Sequence, residues 1–339
     1  MKASHKISLL LAVAGAAMAA PAATYAGTVV YEPFNYPSLS DGAMFASGDT
    51  GATTTANATG LTGPYTASTS WAIDSQHTQP HDVVYNASGL SFAGMQTMGG
   101  SVTVNAPTDG WGATALSVQL AAGATVTGNT LYAGYLFNSD ANNAQNGWTF
   151  GIGEASSGNY INNGGFDINR TGGMYGFGGT GATKVTTPIF PATTNTGTAV
   201  TPGTTYLQLF EVTGINASSG SISMTDWVLT NSQYQYFLAN GGLSASNLDN
   251  NPTQVLQTGS VTIANPTAYP QFNNGTGSNY MDLMEYDQST TFDEIRLSGT
   301  SLADVAPASA IPEPATLGLM AVAGAGLLLI GRRAASGRA

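Results

Sequence analysis

The chain has no cysteine, little charge of either sign and almost no basic residues. Without cysteine it has neither a disulfide to staple a small fold nor a thiol to serve as a nucleophile. A chain of 339 residues does not need that staple, because a domain of this size can stand on its core. Charged residues make up only 8% of the sequence, and the net charge is -11. Between Gly27 and Ile311 the only basic residues are Arg170, Lys184 and Arg296. Such a surface repels phosphate backbones, which argues against nucleic acid as a partner, while the acidity suits the solubility of an exported protein.

Other chemistries are missing too. Apart from His5, the histidines are His77 and His81, so any Ser-His-Asp triad would depend on one of them, and no G-x-S-x-G elbow is present. With Asp74 and Asp82 they form a zinc-type ligand cluster, but Pro80 interrupts the helix that would align them, and nothing marks a third ligand. The pairs Gly164-Gly165, Gly172-Gly173 and Gly178-Gly179 lack phosphate-loop spacing and read as turns or bulges.

The two ends carry most of the signal. Lys2 and Lys6 precede an apolar run from Ile7 to Ala20, and small residues follow at Thr24 and Ala26. This is a secretory leader over residues 1–26, cut between Ala26 and Gly27 and handled by the Sec machinery. At the other end, Pro312-Glu313-Pro314 precedes an apolar run from Ala315 to Gly331 and the pair Arg332-Arg333. As a helix that run reaches roughly 25 Å against a hydrocarbon core of about 30 Å, so it touches the membrane only transiently. The arginines hold residues 334–339 on the cytoplasmic side.

This tripartite tail resembles the PEP-CTERM sorting signal of exopolysaccharide-making Gram-negative bacteria, with Ile311 where the usual residue is Val. The resemblance implies processing by an exosortase near Pro312, Glu313 and Pro314. It also implies tethering in the inner membrane before release to the cell surface or extracellular matrix. The domain reading is a leader at 1–26, a β-sandwich at 27–305, a linker at 306–311 and a sorting signal at 312–333.

Between the signals, short apolar or alternating runs recur, cut by Gly, Asn, Asp and Pro. Leu131, Ala133, Tyr135 and Phe137 share one face, and Ile222, Met224 and Val228 share another. Ten such runs predict many antiparallel strands. The spans 41–70 and 180–203 read as long surface loops, and Gln233 to Ala239 is the one helix signal, stopped by Asn240-Gly241. The opening Tyr31-Glu32-Pro33-Phe34 and the closing Phe292-Asp293-Glu294-Ile295-Arg296-Leu297 resemble the first and last strands of laminin-G-like, concanavalin-like jelly rolls. The resemblance implies an all-β, two-sheet antiparallel sandwich whose first and last strands pair.

Strict alternation along the closing strand puts Phe292, Glu294 and Arg296 on one face and Asp293, Ile295 and Leu297 on the other. If buried, Asp293 needs backbone N–H donors or a cation, which makes it the candidate calcium ligand. No cofactor is otherwise implied. Jelly rolls also host glycosidases, whose two carboxyl groups must share a cleft. The candidates are Asp282, Glu285 and Asp287, with Glu285 and Asp287 on one strand face and Asp282 on the other. Trp71, Trp111, Trp148, Trp227 and Asn-rich turns suit contact with sugar. The sequence reading is therefore a non-enzymatic, exported structural or glycan-binding component of the envelope, exopolysaccharide or biofilm. Its rival is a polysaccharide-active hydrolase or lyase.

Overall fold

The computed structural model describes residues 27–36, 39–44, 61, 72–73, 83–105, 114–140, 149–154, 165–169, 173–176, 185–187, 200–264, 271–273, 279–285 and 289–308. The fold is all-β and antiparallel. One sheet runs β13 (Gln257–Ala264), β12 (Ser221–Leu229), β11 (Thr205–Thr213), β6 (Thr130–Ser139), β15 (Thr290–Ser298), β4 (Ser101–Val104) and β3 (Val83–Asn86). The opening strand β1 (Thr28–Glu32) joins it by pairing with β15, with Tyr31 opposite Arg296. The second sheet runs β10 (Val185–Thr187), β9 (Gly173–Gly176), β8 (Gly165–Asn169), β7 (Thr149–Glu154), β14 (Asn279–Glu285), β5 (Thr114–Gln119) and β2 (Ala72–Ile73). First and last strands therefore pair, as the jelly-roll resemblance implies.

The inter-sheet core follows from alternation. Leu131, Ala133, Tyr135 and Phe137 of β6 face Leu116 and Val118 of β5, Phe150 and Ile152 of β7, and Met281 and Leu283 of β14. Tyr135 sits at the centre, with its ring 4.9 Å from that of Phe150 and 5.8 Å from those of Phe210 and Phe292.

The closing strand departs from strict alternation. Asp293 is level with Leu136 and Arg296 with Gly134, so Glu294 and Ile295 together oppose Tyr135. This is a β-bulge, and Glu294 takes a left-handed φ of 56°. The extra residue reverses the strand's phase, so Ile295 and Leu297 join Phe292 in the inter-sheet core. Asp293 therefore does not share a face with Ile295 and Leu297, contrary to the alternation reading.

The outer face of the eight-stranded sheet carries a second core, with Leu136, Leu207, Leu209, Trp227 and Leu229 beneath a cap. The cap consists of α1 (Asn231–Ala239), α2 (Ala245–Asn250), α3 (Leu302–Val305) and the loop 87–100. α1 matches the one helix signal in the sequence and starts on a Thr230–Gln233 capping box. The helices α2 and α3 were not expected, and at six and four residues they are too short to show periodicity. Strands β8 to β10 occupy ground read as glycine turns and as part of the 180–203 loop. The boundary at 305 also moves. Tyr234 Oη donates to Ala306 O at 3.0 Å and Gln96 N to Pro307 O at 3.0 Å, while Met95 bridges Ala308. Residues 306–308 therefore belong to the folded body rather than to a linker.

One polar chain lies inside the inter-sheet core. Tyr135 Oη donates to Gln208 Oε1 at 2.7 Å, and Gln208 Nε2 donates to Asp226 Oδ2 at 3.2 Å. Asp226 Oδ1 accepts no hydrogen bond among the described residues. Burial pushes this carboxyl up to about 8, and the Gln208 bond pulls it back only in part. A raised folded-state value means that the fold holds a proton which the unfolded chain loses above its ordinary value near 4. Stability is thus full below that point and is lost as pH rises through about 8. Asp226→Asn removes this loss. We expect it to raise the unfolding free energy in urea at pH 9, by on the order of 3–5 kcal/mol, and far less at pH 5.

Candidate functional site

The bulge carries three buried charged residues, among them the calcium candidate Asp293. Asp293, Glu294 and Arg296 are all 0% exposed. Asp293 accepts from Leu90 N and from Glu294 N, each at 2.7 Å. Glu294 accepts from Met98 N, from Tyr31 Oη at 3.0 Å and from Arg296 Nη2 at 2.5 Å. Arg296 also donates to Gln96 O at 3.0 Å, and its guanidinium lies 4.4 Å from the Tyr31 ring centre. Burial, then the charge of Glu294, raises the Asp293 carboxyl. Burial also raises Glu294, against the pull of Arg296 and its hydrogen bonds.

Every carboxylate oxygen of this pair already has a donor, and the cation present is the guanidinium. The group fits a clamp on the loop 87–100 and does not fit a calcium site. Among the described residues no cluster of three or more His, Asp or Glu is placed to hold a metal.

Of the glycosidase candidates, Asp282 and Glu285 stand on opposite faces of β14, as alternation predicts, while Asp287, read on the face of Glu285, lies outside the described residues. Glu285 lies on the inward face of β14 with Met281 and Leu283, fully buried, whereas Asp282 lies on the outward face beside Tyr280. The two cannot share a cleft. Asp282 and Tyr280 keep only 5% and 7% of their surface. Asp287, His77, His81, Trp71, Trp111, Trp148 and the sorting motif with Arg332 and Arg333 lie outside the described residues, as does Ala26. Trp227 is buried, its Nε1 donating to Asp249 at 3.0 Å. Among the described residues no helix is long and apolar enough to cross a membrane.

A different surface assembles where the helical cap ends. Beyond Leu209 and Trp227, the outward positions of β6, β11, β12 and β13, apart from Ala264 at the end of β13, are polar and exposed or half-buried. The register lines them into two rows. Tyr132, Glu211, Thr225 and Ser260 form the first row, and Thr130, Thr213, Ser223 and Thr262 the second. At about 4.8 Å between strands, each row spans roughly 14 Å. Ser223 and Thr262 join hydroxyl to hydroxyl at 2.8 Å.

Tyr132 marks the boundary of this face. Its half-buried ring packs on the second core. Its hydroxyl is bound to Glu211, and burial, then that neighbouring charge and bond, push it above its ordinary value. The face offers an aromatic ring, a carboxylate and six hydroxyls. Among the described residues it has no positive charge, because Arg296, the one basic residue among them, is buried.

The sequence reading missed this face, although its signal is present. Ser221, Ser223 and Thr225 alternate with Ile222 and Met224, and Thr258, Ser260 and Thr262 recur at every second position of β13. The apolar half of that alternation was read as core, and its polar half was left unread.

No family model and no curated protein matches the chain. Among solved structures it is similar to a carbohydrate esterase from the Shiga toxin-encoding bacteriophage phi24B, at 12% identity and a TM-score of 0.35, over 68% of this chain and 89% of that one. It is similar to a protein of unknown function from Shewanella oneidensis MR-1, at 14% identity and a TM-score of 0.31, over 70% and 89% of the two chains. It is also similar to lectin II from Ulex europaeus, at 8% identity and a TM-score of 0.29, over 65% and 93%. At these values the likenesses carry no functional argument.

The clamp makes a test of its own. Arg296→Met leaves two buried carboxyls without their cation, and a loss of about 3–5 kcal/mol in urea unfolding is expected. Limited proteolysis should then cut first within 87–100. Adding Glu294→Gln should restore part of the loss.

Proposed function

We propose that this is an exported, non-enzymatic component of the cell envelope, exopolysaccharide or biofilm matrix. It binds an uncharged polysaccharide on the two hydroxyl rows that start at Tyr132 and Thr130. One observation carries the reading: a half-buried tyrosine ring and a carboxylate adjoin a field of hydroxyls that holds no cation among the described residues. Sugars are recognised by an apolar ring face and by groups that exchange hydrogen bonds with hydroxyls, and this face supplies both. A polyanion would meet Glu211 and an acidic chain with no exposed base among the described residues, so the partner is a neutral glycan.

Delivery rests on the two terminal signals. The Sec machinery exports the chain, and an exosortase processes it near Pro312, Glu313 and Pro314, as the resemblance of the tail implies. Glu285, fully buried with Met281 and Leu283, is out of reach of a polymer, which supports binding over cleavage.

Co-sedimentation of the processed protein with insoluble neutral and acidic polysaccharides tests this, with reducing ends assayed in the same tubes. Binding to a neutral glycan is expected, unchanged by EDTA and without new reducing ends. Tyr132→Ala and Glu211→Gln should each weaken it about tenfold, or ~1.4 kcal/mol. A rise in reducing ends, or variants that bind as the parent does, would overturn the reading.

A further inference from the structure

The start of β1 meets the end of the folded body. Gly27 has a left-handed φ of 100°, and a Cβ there would stand 2.7 Å from Asp304 Oδ2 and 2.8 Å from Thr300 Oγ1. The Ser298 hydroxyl lies 2.9 Å from Gly27 O and 3.1 Å from Asp304 Oδ2. Thr28 Oγ1 donates to Asp304 O at 3.1 Å, and Ser301 Oγ to Asp304 Oδ2 at 2.8 Å.

Asp304 is half-buried, and its neighbours here supply hydroxyls but no cation. The one ion pair among the described residues, Arg296–Glu294, is elsewhere. The Gly27 nitrogen shares its Cα with the site of that added Cβ. It therefore lies within about 5 Å of Asp304 Oδ2.

We propose that cleavage of the leader after Ala26 creates the missing cation, and that the new Gly27 ammonium pairs with Asp304 to lock the first strand to the segment from which the C-terminal signal departs. This rests on the cleavage point inferred from the leader. Hydrolysis of the Ala26–Gly27 bond consumes one water and leaves a carboxylate on Ala26 and an amine on Gly27. The amine has an ordinary value near 8 and takes up a proton at neutral pH. An opposite charge within 4–6 Å favours that charged form. Before cleavage the same nitrogen is an uncharged amide, so Asp304 has hydroxyl donors but no cation among the described residues. Asp304 belongs to α3, and three residues after α3 ends the chain leaves the described body at Ala308. Removal of the leader thus tightens the junction that presents residues 309 onward.

The test is a double-mutant cycle on the chain through Ala339, kept in mild detergent. Two starts are compared, Gly27 and Ala26, each with and without Asp304→Asn. Retaining Ala26 moves the ammonium one residue, about 3.8 Å along the chain. For the Gly27 start, Asp304→Asn should raise the unfolding constant in urea about two- to fivefold more than for the Ala26 start. Any loss of the Ser301 and Ser298 hydrogen bonds is common to both starts and cancels. An equal effect in the two backgrounds would refute the pair. The intact mass of the exported protein checks the cleavage point separately, and a first residue other than Gly27 would remove the proposal's basis whatever the cycle gave.

Discussion

The bulge at Glu294 is the constraint on which the arrangement depends. β15 pairs with β6 along one side and with β4 and then β1 along the other. The bulge falls where its partner changes from β4 to β1. Without the extra residue, Phe292 and Glu294 would share a phase, and a carboxylate would enter the inter-sheet core. With it, Ile295 and Leu297 fill that core, while Asp293, Glu294 and Arg296 turn to the other face. A left-handed φ at a non-glycine residue costs of order 1–3 kcal/mol. That cost is offset by what the turned side chains hold, since Leu90 N and Met98 N both find carboxylate acceptors there.

The cap over the second core follows from that clamp. Once the loop 87–100 is fixed on β15, it offers the Ala93 amide to Asn231 of α1, and the Ala93 carbonyl to Gln235. It also offers Met95 to Ala308. The loop, α1 and the last residues of the body therefore hold one another over Leu136, Leu207, Leu209 and Trp227. Past Trp227 the outward positions of β12 change from Leu and Trp to Ser and Thr, and they and their β13 neighbours are exposed or half-buried. The boundary runs through Tyr132, whose half-buried ring packs on the second core and borders the open rows. The open hydroxyl face is thus a by-product of where the cap stops.

Much of the sandwich was legible in the sequence because alternation is a local signal. The inward set Ile222, Met224 and Val228 and the helix read over Gln233 to Ala239 were legible locally, although the helix begins two residues earlier, at Asn231. The bulge was not legible, because an inserted residue leaves the apolar positions in place and changes only which face they serve. The second core was hidden for a related reason. Leu136 and Leu207 sit at positions that alternation assigns to solvent, and only the short helices and the loop 87–100 make them interior. The hydroxyl face was hidden because Ser and Thr at every second position are also what an ordinary solvated strand carries. Its meaning comes from register across β6, β11, β12 and β13, which no single stretch of sequence contains.

Register also bears on how such a face would hold a polymer. A single hydrogen bond nets about 1 kcal/mol, since both partners give up water, and Ser and Thr hydroxyls offer no more than that. One sugar on one row would therefore be held weakly. A polysaccharide repeats its hydroxyls along its length, so each bond after the first forms at high effective concentration and the row becomes useful as a whole. Burying Arg296 works in the same direction, because an exposed guanidinium would outbid the hydroxyls and draw polyanions to the surface. A level, cation-free row is poor at gripping a small molecule. It is better suited to lying along a long neutral chain, which is the demand that a matrix places on its proteins.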